Sequence, residues 1–172
     1  MSFTISPSYE IPLSVVLIAF AVMALVLVAG LSSSRVANKK KFVLWALLVE
    51  YLFLVVCAAV VCRPLLPKHL LHLKPLWVYT DFLNSKHTEA VRDIIINLLL
   101  FLPVGALLAG ISPSLKWYWV LLIGVACSLS IEVLQYIFLR GVAQTDDLIH
   151  NAVSCIAGWG LTKMLVGTFE KE

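Results

Sequence analysis

The residues of this chain whose types could do chemistry gather late in the sequence. Between Cys127 and Asn151 an otherwise apolar run carries Glu132 and Gln135. At helical spacing Ser128, Glu132 and Gln135 stand at i, i+4 and i+7 and form one stripe, while Val133, Leu134, Ile137 and Phe138 face elsewhere. Arg140, Asp146, Asp147 and Asn151 follow, and upstream Asp93 and Asn97 stand one helical turn apart. Carboxylates held at the edge of an apolar medium suit general acid or base work, which makes Glu132 and Asp147 the candidate catalytic residues. Asp93, Asn97, Gln135, Arg140 and Asn151 are the candidate substrate contacts. Their amides both donate and accept, and the guanidinium meets phosphate or carboxylate as a planar donor. Such a set suits the headgroup of a lipid-linked substrate. The bland reading is helix glue, in which Glu132 and Gln135 bond Asn97 and Asn151 across helices for about 0.6 kcal/mol per bond. Against it, a carboxylate, an arginine and two aspartates at one depth exceed what packing requires.

Other chemistry finds less support. Asp93, Glu132, Asp146, Asp147 and His150 have the ligand types for a divalent metal, but no spacing of metal-motif form appears, and no metal or cofactor is expected. No activated serine or cysteine motif is present. Cys57, Cys62, Cys127 and Cys155 lie in or at the ends of apolar segments and read as packing residues. His69, His72 and His87 read as interfacial side chains rather than as a metal site. Asp146 reads as a cap for the helix that follows it.

The elements that must position these residues are membrane spans. The chain has 172 residues, of which 61% are hydrophobic and 13% charged, with a mean hydropathy of +0.97. Soluble domains are about 45–50% apolar and about 25% charged. The chain therefore reads as a single integral membrane domain over residues 1–172, with the lipid bilayer as its first partner. The net charge of +3 resides in loops flanking apolar runs, a topology signal rather than a nucleic-acid surface. The fold class expected is an all-α, polytopic transmembrane helix bundle with five predicted spans, at residues 11–31, 42–62, 94–110, 117–139 and 148–166. Each is near the about 20 residues that cross a hydrocarbon core. The first apolar run is too long for a signal-peptide core of about 7–15 residues and is expected to stay as a span.

Between spans two and three, residues 63–92 mix leucines and aromatics with Lys68, His69, His72, Lys74 and Asp81. That mixture, broken by Pro67 and Pro75, predicts an interfacial segment with Trp77 and Tyr79 at headgroup level. Pro103 is expected to bend span three where neighbours satisfy the freed carbonyl. Ser154, Gly158 and Gly160 invite close helix packing. The dense basic run Arg35 to Lys41 and the absence of lysine or arginine before it place the N-terminus outside and the C-terminus in the cytoplasm. With five spans, Asp93 and Asn97, Glu132 and Gln135, and Asp147 and Asn151 all fall at the same membrane face, so three helices can aim polar stripes at one cavity.

Three blocks in this order resemble the VanZ-like family of bacterial membrane proteins. They are L-K-P-L-W from Leu73, D-I-I-I-N-L-L-L-F-L-P-V-G from Asp93 to Gly105, and S-I-E-V-L-Q-Y continuing to R-G-V-A-Q-T-D-D-L-I-H-N at Asn151. The resemblance covers about residues 73–160 and places Asn97, Pro103, Gly105, Glu132, Gln135, Arg140, Asp147 and Asn151 on the family's characteristic positions. Two positions depart from it: His72 stands where asparagine is usual before the proline, and Ser154 where glycine is frequent. The resemblance implies a multi-pass protein of the bacterial cytoplasmic membrane acting in the cell envelope, in low-level glycopeptide (teicoplanin-type) antibiotic resistance. Its implied partner is a lipid-linked envelope precursor or a lipoglycopeptide. Two other classes stay open: a small proton-coupled transporter using Glu50 and Glu132 as relay points, and a non-catalytic membrane assembly subunit.

Overall fold

A computed structural model describes residues 13–63, 65–85 and 88–169, without the side chains of 81–82, 84–85, 88–91, 93 and 168–169. His87 and the charged tail Glu170-Lys171-Glu172 lie outside the described residues, as does the side chain of Asp93. The expected all-α architecture is observed, with six helices among the described residues: α1 (Leu13–Ser32), α2 (Lys39–Val56), α3 (Trp77–Ser85), α4 (Thr88–Ile111), α5 (Trp117–Ile137) and α6 (Thr145–Phe169). Four stretches are long and apolar enough to cross a membrane: Leu13–Ser32, Lys39–Val61, Ile94–Ile111 and Trp117–Ile137. α6 is as long as these but is not among the four. Asp146, Asp147, His150, Asn151 and Ser154 fill its first turns and are all buried, so its polarity points inward.

α2 opens on Asn38, whose side chain accepts the Lys41 amide at 2.8 Å. It closes in a π-helical turn, Cys57–Val61, in which the Cys62 amide reaches the Cys57 carbonyl at 2.9 Å. A helix end leaves carbonyls without amide partners. Here α5 and the residues after it supply the donors: Gln135 Nε2 bonds the Ala59 carbonyl at 2.9 Å, and Arg140 Nη1 bonds those of Val61 at 3.3 Å and Arg63 at 2.6 Å.

α4 runs through Pro103 without ending. Proline cannot donate to the carbonyl four residues back, that of Leu99. The carbonyls on either side of it find side-chain donors, Ser154 Oγ at Leu98 and the Tyr51 hydroxyl at Leu100 at 2.8 Å. α4 and α6 pack with backbones nearly touching: a Cβ at Gly105 would strike the Cys155 carbonyl, and one at Gly158 the Leu102 carbonyl. Gly160 meets nothing within 4 Å, so of the small residues expected at this seam it is not one. Around the seam Phe101, Val104, Leu108, Val120 and Cys155 form part of the apolar core. The four cysteines are free thiols, two buried and two half-buried, as packing residues would be.

The connection after α2 holds an element that an all-α expectation lacks. Leu70–His72 (β1) pairs in parallel with Val142–Gln144 (β2), Leu71 lying opposite Ala143. The pairing begins upstream, where the Leu66 amide bonds the Leu139 carbonyl at 2.8 Å. Backbone at a membrane boundary must find partners within the protein. Two three-residue strands satisfy that need, and they lay the connection across the end of α5.

Candidate functional site

α5 sets the site. Ser128, Ile131, Glu132 and Gln135 are buried along one face, whereas Val133, Ile137 and Phe138 are about half exposed, as the spacing predicts; Leu134, expected to face elsewhere, is instead half-buried against the core. α5 ends in a Schellman motif: the Arg140 amide bonds the Gln135 carbonyl at 2.8 Å, and Leu139 adopts a left-handed φ of 55°. That turn sends the chain back over the helix end, so the Gln144 amide lands on Glu132 Oε2 at 2.7 Å.

α6 begins at the next residue and brings its own polar stripe against α5 and α4. Asp147 Oδ1 accepts Asn97 Nδ2 at 2.6 Å, and Asn151 Nδ2 bonds Ser128 Oγ at 2.9 Å. Together with Arg63, Ile131 and Leu100, the side chains of Asn97, Glu132, Gln135, Asp147 and Asn151 line one small chamber of about 40 Å³. Four of its polar members are nearly dry, with Glu132 at 7% exposure, Asp147 at 8%, Asn151 at 3% and Gln135 at 1%, while Asn97 and Arg63 are half-buried. The charged groups that bear on Glu132 are Asp147, which repels it, and Arg63, which attracts it. Gln135 Oε1 and Asn151 Oδ1 accept no hydrogen bond from the protein.

Five of the seven sequence-derived site residues therefore converge: Glu132, Asp147, Asn97, Gln135 and Asn151. Asp93 has its backbone in α4 one turn before Asn97, and its side chain lies outside the described residues. Arg140 does not reach the chamber; its guanidinium is engaged with the carbonyls that end α2. The arginine that does line the chamber is Arg63, which spacing analysis treats only as a loop boundary. Its guanidinium packs over Gly141, whose φ of +118° and lack of Cβ admit that approach.

Asp146 takes a different role from the expected helix cap. It is fully buried and accepts the backbone amides of Leu76 and of Val78, the latter at 3.0 Å, fixing the start of α3. Trp77 Nε1 bonds Gln144 Oε1 at 3.2 Å, and the Tyr79 hydroxyl lies 2.8 Å from His150 Nε2. His69 and His72 make separate contacts, one donating to the Tyr136 carbonyl at 2.7 Å and the other packed at a tilt against Trp77. Among the described residues no group of three or more His, Cys, Asp or Glu is placed to hold a metal ion.

Glu132 also borders a second space. An apolar groove of about 480 Å³ runs between β1, β2 and the outer flank of α5, lined by Leu71, Leu73, Leu129, Val133, Tyr136 and Leu148. Its volume falls in the about 300–1,000 Å³ of small-molecule sites. Glu50, by contrast, opens onto a separate cleft of about 280 Å³ between α1 and α2, beside Val22, Met23 and Trp45.

The model of one family, VanZ/LLP1, matches residues 14–166, which is most of the 172-residue chain. Neither a curated protein nor a solved structure matches it.

Proposed function

The chain belongs to the VanZ/LLP1 family, and from that premise we propose that it is an envelope protein of the bacterial cytoplasmic membrane that binds an amphiphilic envelope component. We infer five spans, α6 being the fifth, with the chamber near the outer face and an implied role in low-level resistance to teicoplanin-type glycopeptides. The ligand is a lipid-linked precursor or a surface-exposed envelope lipid. The observation that carries this reading is that Glu132 forms a wall of both the polar chamber and the apolar groove. A molecule with a hydrocarbon chain and a polar head needs those two environments side by side. Turnover of the ligand would rest on Glu132 and Asp147, the two carboxylates of the chamber.

Transport is the weaker reading. A relay from Glu132 to Glu50 needs a polar path, yet Val104, Leu108 and Val120 close the core beneath the chamber and Glu50 faces α1. The test is complementation of a deletion strain with wild type, Glu132→Gln or Asp147→Asn, scoring lipoglycopeptide sensitivity and the envelope lipid profile. Both variants are expected to fail at wild-type membrane levels; normal activity of both would sink the pocket.

A further inference from the structure

We propose that the connection laid across the end of α5, from Leu65 to Leu83, is a docking surface for anionic phospholipid, with leucines among the acyl chains and Lys68 and Lys74 on the phosphates. No residue of the chamber belongs to this surface, so it goes beyond the reading above and does not depend on what the chamber binds.

The connection is pinned, so what it exposes is set by the fold. β1 pairs with β2, the Leu66 amide bonds the Leu139 carbonyl, His69 Nδ1 bonds the Tyr136 carbonyl, and Asp146 takes the amides of Leu76 and Val78. Leu66 and Val78 turn inward and are buried, whereas Leu65, Leu71, Leu73, Leu76 and Leu83 are each 50–76% exposed. Leu76 is the sharpest case. It holds a left-handed φ of 59°, uncommon outside glycine, and the Asp146 bond to its amide keeps it there. Such strain persists only where the surroundings enforce it, and here it leaves a leucine side chain half exposed. Leu71 and Leu73 line the groove, but Leu65, Leu76 and Leu83 are not among its walls. Scattered singly they would need no explanation; gathered on one short connection they form an apolar surface that needs hydrocarbon against it.

Charge selects the kind of lipid. Lys68 and Lys74 stand among these leucines, both exposed and, among the described residues, neither in an ion pair or hydrogen bond. Residues 63–92 as a whole carry five lysines and arginines against two acids. Lysine interleaved with exposed leucine suits the boundary between acyl chains and headgroups, where the stem lies along hydrocarbon and the ammonium reaches phosphate. A soluble anion would leave the leucines in water. A zwitterionic head offsets its phosphate with its own cation, so an anionic phospholipid is the partner that meets both chemistries. Tyr79, exposed in α3, adds an amphipathic ring of the kind found at this level.

Fluorescence quenching in vesicles tests this. Leu65→Cys, in a full chain whose four native cysteines are replaced, carries an environment-sensitive fluorophore. It is reconstituted into phosphatidylcholine containing a minor fraction of brominated phosphatidylglycerol or, separately, the same fraction of brominated phosphatidylcholine. The glycerol lipid is expected to quench about fivefold more effectively, the factor that one lysine contributes at an anionic surface. Lys68→Gln combined with Lys74→Gln, both at exposed positions, is expected to remove that preference and leave quenching by the choline lipid unchanged. Sodium chloride at about 1 M, which shortens the screening length to about 3 Å, is expected to remove it without any substitution. Equal quenching by both lipids at low salt would overturn the anionic preference, and quenching by neither would overturn the docking itself. A preference that survives the double variant would take it away from Lys68 and Lys74. Loss of the preference on adding inorganic phosphate at constant ionic strength would assign the two lysines to a soluble anion instead.

Discussion

Asp146 and Asp147 are adjacent in sequence and act in opposite directions. Asp147 turns into the chamber to meet Asn97, while Asp146 turns out to hold two backbone amides at the start of α3. Hydrogen bonds to a charged acceptor contribute about 1.5–3 kcal/mol each, and Asp146→Asn would set an amide N–H against a backbone N–H. The variant is expected to lose about 2–3 kcal/mol of stability and to expose the connection between α2 and α4 to protease. An unchanged melting temperature with unchanged cleavage would remove Asp146 from that role. Gly141 is the other single-residue dependency. An alanine there meets a φ of +118° and the Arg63 guanidinium at once, so Gly141→Ala should cost about 1–3 kcal/mol by backbone strain, read as a shift in the thermal midpoint in detergent. Glu132 and Gln135 were legible in sequence because helical periodicity puts them on one stripe of α5, and Asp147 and Asn151 because it puts them on one stripe of α6. Arg63 was not, since nothing local to it states that residue 141 will lie against its side chain. Arg140 misled for the same reason: its type suits an anion, but its partners are carbonyls some 77 to 79 positions upstream.

The spans of α1, α2, α4 and α5 follow from runs of apolar residues, and the structure places each within a few residues of the sequence expectation. The strands β1 and β2 left no such trace, because three residues cannot display an alternating pattern and their pairing joins segments far apart in the chain. The α4–α6 seam was half legible. Small residues announced a close contact, but Gly158 and Gly160 look alike in sequence and only the former lies against a backbone. This separates two variants on one helix. Gly158→Val forces α6 away from the Leu102 carbonyl and is expected to destabilise by about 1–3 kcal/mol or more, as overpacking does. Gly160→Val meets open space and should change stability by less than about 0.5 kcal/mol. Graded unfolding in dodecyl sulfate distinguishes them, and equal midpoints would mean the two helices do not meet at this seam.

At the scale of the whole molecule, the orientation of the bundle decides which side of the membrane the chamber faces. The basic run between α1 and α2 carries that signal, but not all of it is free to do so. Lys39 Nζ donates to the carbonyls of Gly30, at 3.2 Å, Leu31, at 2.8 Å, and Ser33, which end α1, so this lysine is fixed by the helix terminus itself. Arg35, Lys40 and Lys41 remain exposed, and the proposed cytoplasmic placement of this loop rests on their charge. The proposed fifth span is α6. It starts at Thr145 beside the chamber, and Lys163 reaches the Pro113 carbonyl in the turn between α4 and α5. The eighteen helical steps from Thr145 to Lys163, at about 1.5 Å each, cover about 27 Å, close to the hydrocarbon thickness of about 30 Å. α6 therefore has the reach of a fifth span although its inward face is polar. Cysteine labelling with a membrane-impermeant maleimide tests both statements, in a background whose four native cysteines are replaced. Lys74→Cys, on the chamber side, is expected to react in intact cells, whereas Ser34→Cys and Gly167→Cys should react only after permeabilisation. Reaction of Ser34→Cys and Gly167→Cys alone in intact cells would invert the protein and turn the chamber toward the cytoplasm. Reaction of Lys74→Cys together with Gly167→Cys would deny α6 its crossing.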